Sequence, residues 1–440
     1  MKNLLFLLIL FSPLFSPAQV IVTAVGGGSS LGDGGPALDA KLEQPWGINI
    51  DDSGNLYICD AGTNRVRKVT SGYGGIINTI AGNGTEGYSG DGGLGINAQL
   101  FSPFDVAVDK HGNVFIADQG NNCIRKVTPL DTITTIAGTG AAGYNGDNIL
   151  ATTAQLNAPE GVAIDSIGNV YIVDEFNYRI RKVDTAGIIT TIAGTGTAGY
   201  SPDACLADTA QLNHLYGIRI SKTGNIFFAD NARIRRIDSG LIYTVAGDGT
   251  LGYSGDSGLA TAAEIGGGAI AIDSSGNLYI ADEDANRVRE VNVAEGIIYT
   301  IAGNGIQGFS GDDGPPLLAE LSNVGGVAGN NATDMYIADN ANYRIRLITT
   351  HPLGTSNIAG QKQEISVFPN PSDGMFTFII SSNTNEQTKV IVTNILGEKV
   401  REFSAKTNEQ NKIELNVPPG IYLLLATTTQ KEFNEKIVIE

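Results

Sequence analysis

The chain repeats itself. Gly26, Gly82, Gly138, Gly194, Gly247 and Gly303 occupy the same point of a recurring string, at spacings of 56, 56, 56, 53 and 56 residues. A fixed period of this size marks a unit that cannot bury its own apolar face and must stack on its neighbours. Length alone, at 440 residues, would suggest roughly three domains. The repeats tie residues 19–348 into one unit, so two domains are expected, with a signal segment at 1–18 and a linker at 349–364.

One copy shows what the unit builds. GVAID (161–165), VYIVD (170–174), RIRKV (179–183) and IITTIA (188–193) are rich in β-branched and aromatic residues and are bounded by Gly, Asn, Asp or Ser, the pattern of four short strands. The turn Asp165-Ser-Ile-Gly-Asn169 has an Asp able to cap it and a Gly for the left-handed position. The first two strands are apolar on both faces, so the sheet must be covered on both sides, as when sheets stack radially about an axis. Six copies of the first three strands run from Gly47 to Ile348, but only five fourth strands follow a third strand. The missing one is at the start. Ile21 to Val25 matches Ile77 to Ala81, and pairing it with Arg344 to Ile348 would complete the last blade and leave no open edge. The expected fold is all-β: a six-bladed β-propeller of four-stranded blades closed by its N-terminal strand, followed by a small Ig-like β-sandwich.

The string GVAID, GNVYI, Asp, a short turn and Arg-Ile-Arg-Lys-Val resembles the NHL repeat. The long glycine-rich insertion between blades is similar to that of secreted bacterial NHL proteins and of the teneurin NHL domain. The resemblance implies a six-bladed propeller used mainly for binding, although some relatives in neighbouring propeller families are lyases or lactonases.

Several motifs invite other readings. Five repeats contain Gly-x-Gly-x-x-Gly after a strand, but each runs into Tyr or Phe and a polar segment. No amphipathic helix follows to aim its N-terminus at a pyrophosphate, so these are loop glycines. The 57 glycines, about twice the usual share of roughly 7%, have the same origin in turn chemistry. Asp60, Asp118, Asp174, Asp230, Asp282 and Asp339 end the second strands, while Arg65, Arg179, Arg233, Arg287 and Arg344 open five of the third. A cross-hairpin ion pair between the two sets is the economical expectation. It leaves Asp118 without a partner, because Cys123 stands where Arg is expected. A second acidic set, Asp33, Asp91, Asp147, Asp203, Asp256 and Asp312, lies in the insertions at the same end of the blades. Calcium wants six to eight oxygens and each loop offers one carboxylate, so no cofactor is expected beyond a calcium ion that these loops could take. His111, His214 and His351 are too scattered for a three-histidine zinc site. The three cysteines define no disulfide framework, and Cys59, where other copies have Ala or Val, reads as a small buried residue.

What departs from the repeat is the place to look for a ligand. The residues opening the first strands differ between blades: Trp46, Phe104 and Asp105, Glu160, Tyr216, Gly268 and Gly325. Trp46, Phe104 and Tyr216 with Asp105 and Glu160 form a candidate binding site at the channel mouth, suited to stacking and hydrogen-bonding a sugar or a peptide end. Packing beneath neighbouring loops is the plain alternative. No catalytic residues stand out. The weak carboxylate pair Glu160 and Asp105 is all that a lactonase-like site would have, and a purely structural envelope component is a third class. A formal net charge of −18 argues against nucleic acid, which is bound by neutralising phosphates with Lys and Arg.

The two ends read as addresses. Lys2, the apolar run Leu4 to Phe11 and Ser16-Pro17-Ala18 before Gln19 have the layout of a secretory signal. No other segment approaches the roughly 20 apolar residues of a transmembrane helix. After residue 364, Phe368-Pro369-Asn370-Pro371, Gly374, Gly397, Gly420, Tyr422 and Lys436 are similar to the C-terminal sorting domain of the Bacteroidetes type IX secretion system. That resemblance implies type IX machinery as a partner, export across the outer membrane and a released or surface-attached product. A protein, peptide or glycan is the expected ligand.

Overall fold

The computed structural model describes residues 19–331 and 334–350 and, farther on, 365–368, 372, 374–380, 386–394, 398–407, 409, 411–427 and 432–439. The expected signal segment, nearly all of the linker, and Pro369, Asn370, Pro371 and Gly397 lie outside the described residues. The chain divides into two compact units, one ending at Thr350 and the other beginning at His351.

The first unit contains six antiparallel sheets. Sheet three is typical: Pro159–Ile164, Val170–Asp174, Arg179–Val183 and Ile188–Ala193 pair in chain order. The turn between its first two strands forms as its sequence dictates. Asp165 Oδ1 accepts from the backbone N–H groups of Ile167, Gly168 and Asn169, and Gly168 sits at φ +99°. Sheet six takes its fourth strand from the other end of the unit, Val20–Val25 pairing antiparallel with Arg344–Thr349. Each outer strand is bridged by the glycine-rich insertion that precedes the sheet: Ile149 and Leu150 pair with Ile189 and Ile188, and Leu206 with Leu241. Ile21 receives the same treatment from Gly314, so Val20–Val25 behaves as a fourth strand in every respect. Covering the outer strand blunts an edge that would otherwise template aggregation.

The apolar core lies between successive sheets. Leu215, Ile218 and Phe228 of sheet four pack with Tyr171, Val173 and Ile180 of sheet three. Val22, Ile345 and Leu347 of sheet six pack with Ile48, Leu56 and Ile58 of sheet one. The first strands adjoin one another in the same order, that of sheet six meeting that of sheet one.

The ion pairing differs from expectation. The carboxylates ending the second strands do not pair with the arginines that open the third strands, although Asp174 and Arg179 are directly opposite. They pair with the arginine two residues farther on. Asp174 Oδ2 accepts from Arg181 Nη1 at 3.2 Å, and Arg181 Nη2 reaches Asp147 of the insertion at 3.0 Å. Arg67, Arg125, Arg235, Arg289 and Arg346 repeat this, each fully buried and held between one carboxylate from each acidic set. Asp118 therefore keeps a partner, Arg125, despite Cys123. The opening arginines turn outward instead. Arg179 donates to the carbonyls of Asn177 and Thr195 and lies over the Tyr144 ring at 3.8 Å. Burial pushes the Asp60, Asp118, Asp174 and Asp282 carboxyls up to about 6, against the pull of their hydrogen bonds and guanidinium partners.

The second unit has two antiparallel sheets around its own core. Ile365–Phe368, Met375–Ile380 and Asn411–Glu414 form one, and Lys399–Lys406, Gln387–Asn394, Gly420–Thr427 and Glu432–Ile439 the other. Phe376, Phe378, Val392, Leu424 and Ile437 meet between them. Gly374 sits at φ +98°, where a Cβ would stand 2.6 Å from the Leu415 carbonyl. Gly420 opens a strand, Tyr422 donates to the Pro418 carbonyl at 2.7 Å, and Lys436 is exposed.

Candidate functional site

In every sheet the framework Asp ends the second strand at the edge where the first strand begins, because the pair is antiparallel: Pro45 is opposite Asp60, Pro103 opposite Asp118, Pro159 opposite Asp174 and Leu215 opposite Asp230. The residue that follows the opening position is thereby brought to one end of the unit in each sheet. Trp46, Phe104, Asp105, Glu160, Tyr216, Gly268 and Gly325 line a single depression together with Gly47, Gly217, Ala269 and Glu283. The expected mouth residues are thus assembled in one place. Small residues permit this convergence: a Cβ on Gly47 would stand 2.6 Å from the Asp105 backbone, and one on Gly325 would stand 2.8 Å from the Trp46 ring.

Trp46 and Phe104 stack with ring centroids 4.8 Å apart and planes inclined by 23°. The depression encloses about 300 Å³, largely open to solvent, and a water-sized sphere can occupy only about 10 Å³ of it, on the order of a single water. A bound molecule must therefore be gripped by a small head group or held at the rim.

The carboxylates divide into two kinds. Asp105 is buried and engaged: Arg219 Nη1, from sheet four, donates to its Oδ2 at 3.1 Å, as does the Val162 N–H. Arg219 lies outside the residues expected at the mouth, and it gives Asp105 an ion partner that Glu160 lacks among the described residues. Glu160 instead accepts one bond, from Gln119 Nε2 to Oε1 at 2.7 Å, and its buried Oε2 has no donor. Burial, with the neighbouring Glu175 charge, raises its carboxyl to about 8. Glu175 is only 3% exposed. His214 Nδ1 stands 3.6 Å from its Oε1, its Oε2 has no donor, and burial raises it to about 7. Glu283 accepts from Asn323 Nδ2 at 2.9 Å and is also raised by burial.

Glu175 and Glu283 are the residues the sequence reading missed. Both follow the framework Asp, at the place held by Ala61, Gln119, Asn231 and Asn340 in the other sheets. That position varies from copy to copy just as the first-strand opening does, and the same criterion applied one strand later would have found them. Among the described residues no three His, Cys, Asp or Glu side chains gather closely enough to hold a metal ion. The insertion carboxylates that could have taken calcium each face a guanidinium.

These features define a class. The chain carries a β-propeller built from NHL repeats and a C-terminal sorting domain. The NHL-repeat model matches residues 42–69, the teneurin NHL-domain model residues 140–208, and the secretion-system C-terminal sorting domain residues 366–440. Teneurin-m of Drosophila melanogaster is 27% identical over 317 residues, covering 62% of this chain and 12% of that protein. Suppressor of quenching 1 of Arabidopsis thaliana is 26% identical over 274 residues, covering 59% of this chain and 26% of that protein. The chain therefore spans at most about a quarter of the length of these two relatives. An auxiliary nutrient binding protein from Bacteroides ovatus has the same fold over 76% of both chains, with a TM-score of 0.54 at 18% identity. The sorting domain implies handling by the type IX secretion system and export to the cell surface or extracellular space. Among the described residues, no helix is long and apolar enough to cross a membrane.

Proposed function

We propose that the protein is an exported six-bladed propeller, closed by its N-terminal strand and carried by an Ig-like sorting domain, which binds a protein, peptide or glycan at the channel mouth and performs no chemistry of its own. The blade count is supported by six sheets of like pattern and by core packing between sheets six and one. A signal segment at 1–18 fits the same route. One observation carries the binding reading: the residues that break the repeat, Trp46, Phe104, Glu160 and Tyr216, converge on one depression, whereas the charged residues that keep the repeat form ion pairs with one another. Aromatic faces beside carboxyl oxygens are a common recognition chemistry.

The test is a binding screen of the full chain against glycans and peptides beside the Trp46→Ala/Phe104→Ala/Tyr216→Ala variant. A ligand lost in the variant, with an unchanged circular dichroism spectrum, supports the mouth. A ligand retained by the variant moves the site elsewhere.

A second reading, a lyase or lactonase at the same mouth, is favoured by the Glu160 carboxyl. A group raised to about 8 is suited to proton transfer near neutral pH. Turnover of a lactone or sugar-acid substrate that disappears in Glu160→Gln would establish it.

A further inference from the structure

The acidic side of the mouth lacks positive charge. Asp105 has Arg219, but among the described residues no cationic side chain forms an ion pair with Glu160 or Glu283, and Glu175 has the half-exposed His214 near it. The repeat fixes where these groups point. In sheet two the residue after the framework Asp, Gln119, reaches across to Glu160, which follows the opening residue of sheet three. In sheet six its equivalent, Asn340, reaches the carbonyl of Pro45 beside Trp46. Glu175 holds that position in sheet three and is directed by the same geometry toward Tyr216 of sheet four. Its charge acts on both Glu160 and Tyr216. Two buried carboxylate oxygens thus lack a donor: Glu160 Oε2, of a residue that lines the mouth, and Glu175 Oε2, of a residue near enough for its charge to act on Glu160. An oxygen left in this way has given up its hydrogen bonds to water without replacement, a loss that grows when it is charged.

Three properties of a missing occupant follow. It carries N–H or O–H donors, because the empty positions are acceptors. It is positively charged, because Glu160 and Glu283 line the space, Glu175 acts on Glu160, and among the described residues His214 is the one basic group that stands as an ion partner to any of these three. Its head is small, because the enclosed space is on the order of one water, and its stem is apolar, because Trp46, Phe104 and Tyr216 present ring faces that attract a cation and its methylenes. A metal ion would need ligands gathered closely, and these are not.

We propose that the mouth receives a primary ammonium group, its N–H donors directed to the unpaired oxygen of Glu160, its charge balanced also by the neighbouring Glu175 and Glu283, and its carbon stem lying on the Trp46, Phe104 and Tyr216 rings. The ammonium comes from a lysine side chain or a peptide N-terminus. This rests on the binding reading above and names the chemistry of what is bound. The Glu160 and Glu175 carboxyls ionise to take the cation, so binding releases protons near neutral pH and strengthens as pH rises. The ionisable groups near these two carboxyls are Glu283, Asp284, Tyr216 and His214.

The full chain is titrated by calorimetry and NMR with Nα-acetyl-lysine amide, which offers only a side-chain ammonium, and with glycylglycine amide, which offers only an α-ammonium. Nα,Nε-diacetyl-lysine amide and choline are the controls: the first has no charge and the second has charge without N–H donors. At least one of the two ammonium probes is expected to bind, with affinity rising several-fold from pH 6 to pH 8.5. It is expected to weaken by about tenfold or more in Glu175→Gln and in Glu160→Gln, each of which keeps the shape of the site. Which probe wins identifies the source. Equal binding of choline, or affinity unchanged in both Gln variants, overturns the ammonium assignment. If the glycan and peptide screen nevertheless yields a neutral ligand lost in the aromatic variant, the mouth remains a binding site and only this inference fails. Absence of any mouth ligand in both experiments removes both.

Discussion

At the scale of single residues, the framework and the mouth obey opposite rules. Arg181 is wholly buried between two carboxylates, and removing one member of a buried pair strands the others at a cost of about 3–5 kcal/mol. Arg179 is partly exposed and bonds two carbonyls while stacking on Tyr144, so its loss costs about 1 kcal/mol. Denaturant titrations of Arg181→Ala and Arg179→Ala are expected to differ accordingly, and equal losses would mean that the buried network is not what holds the sheet. The sequence could not choose between these arginines, because residues two apart on a strand share a face and both lie within reach of the Asp. Only the path of the insertion, which brings Asp147 over Arg181, decides it. Glu160 behaves in the contrary way. Its carboxyl titrates near 8 in the folded chain and at its ordinary 4.5 in the unfolded one. Between those values the folded chain holds more protons, so stability falls as pH climbs through that window. Glu160→Gln is expected to melt with the parent at pH 5 and about 2–4 °C above it at pH 8.5. Parallel curves at all pH values would show that the carboxyl is solvated in solution.

At the scale of elements, the strands were legible and the turns between second and third strands were not. A short apolar run bounded by turn residues and repeated six times leaves little doubt about a strand, whereas a three-residue turn has no period to read. In sheets one, two, three and six this turn is a short 3₁₀ segment that exits through a left-handed residue, Asn64, Asn122, Tyr178 or Tyr343, while sheet five makes a plain turn that ends on the left-handed Asn286. Sheet four lacks the segment and turns more tightly through Asn231 at φ 54°, yet Arg235 still meets Asp230. Asn does two jobs at the left-handed position. It tolerates φ near 50° better than a bulky residue, and its Oδ1 accepts from the backbone of the next sheet: Asn64 from Ser102, Asn122 from Ala158, Asn286 from Asn323. Tyr178, at φ 49°, can do neither, and the corresponding acceptor for the His214 N–H is missing. Tyr178→Asn is expected to add that bond between sheets three and four and to relieve the backbone, stabilising the unit by about 1 kcal/mol. A thermal melt reads the gain. A loss instead would show that the Tyr178 ring contributes more than the bond.

At the scale of the whole molecule, the two units answer to different demands, and the sequence distinguished them because their grammar differs. The repeat stops at Ile348, and the Gly374, Gly420 and Tyr422 landmarks begin after the linker. Less legible was the mouth as a chemical object: the first-strand departures Trp46, Phe104, Glu160 and Tyr216 pointed to it, but Glu283, which lines it, and Arg219 and Glu175, which act on its carboxylates, hold positions where one copy alone gives no reason to look. Phe376, Phe378, Val392, Leu424 and Ile437 of the second unit pack with one another in a core of their own. A domain with a separate core can be removed without opening a cavity elsewhere. Its match to a secretion-system sorting domain over residues 366–440 gives it a task that is separable as well. Deleting residues 365–440 is therefore expected to leave the melting temperature of the first unit within about 2 °C of the parent while abolishing its appearance at the surface and in the medium of a producing cell. Fractionation and circular dichroism on the same preparation check the two halves together. A truncated chain that no longer folds would make the tail part of the propeller's stability, and one that folds and is still exported would assign the address to another segment.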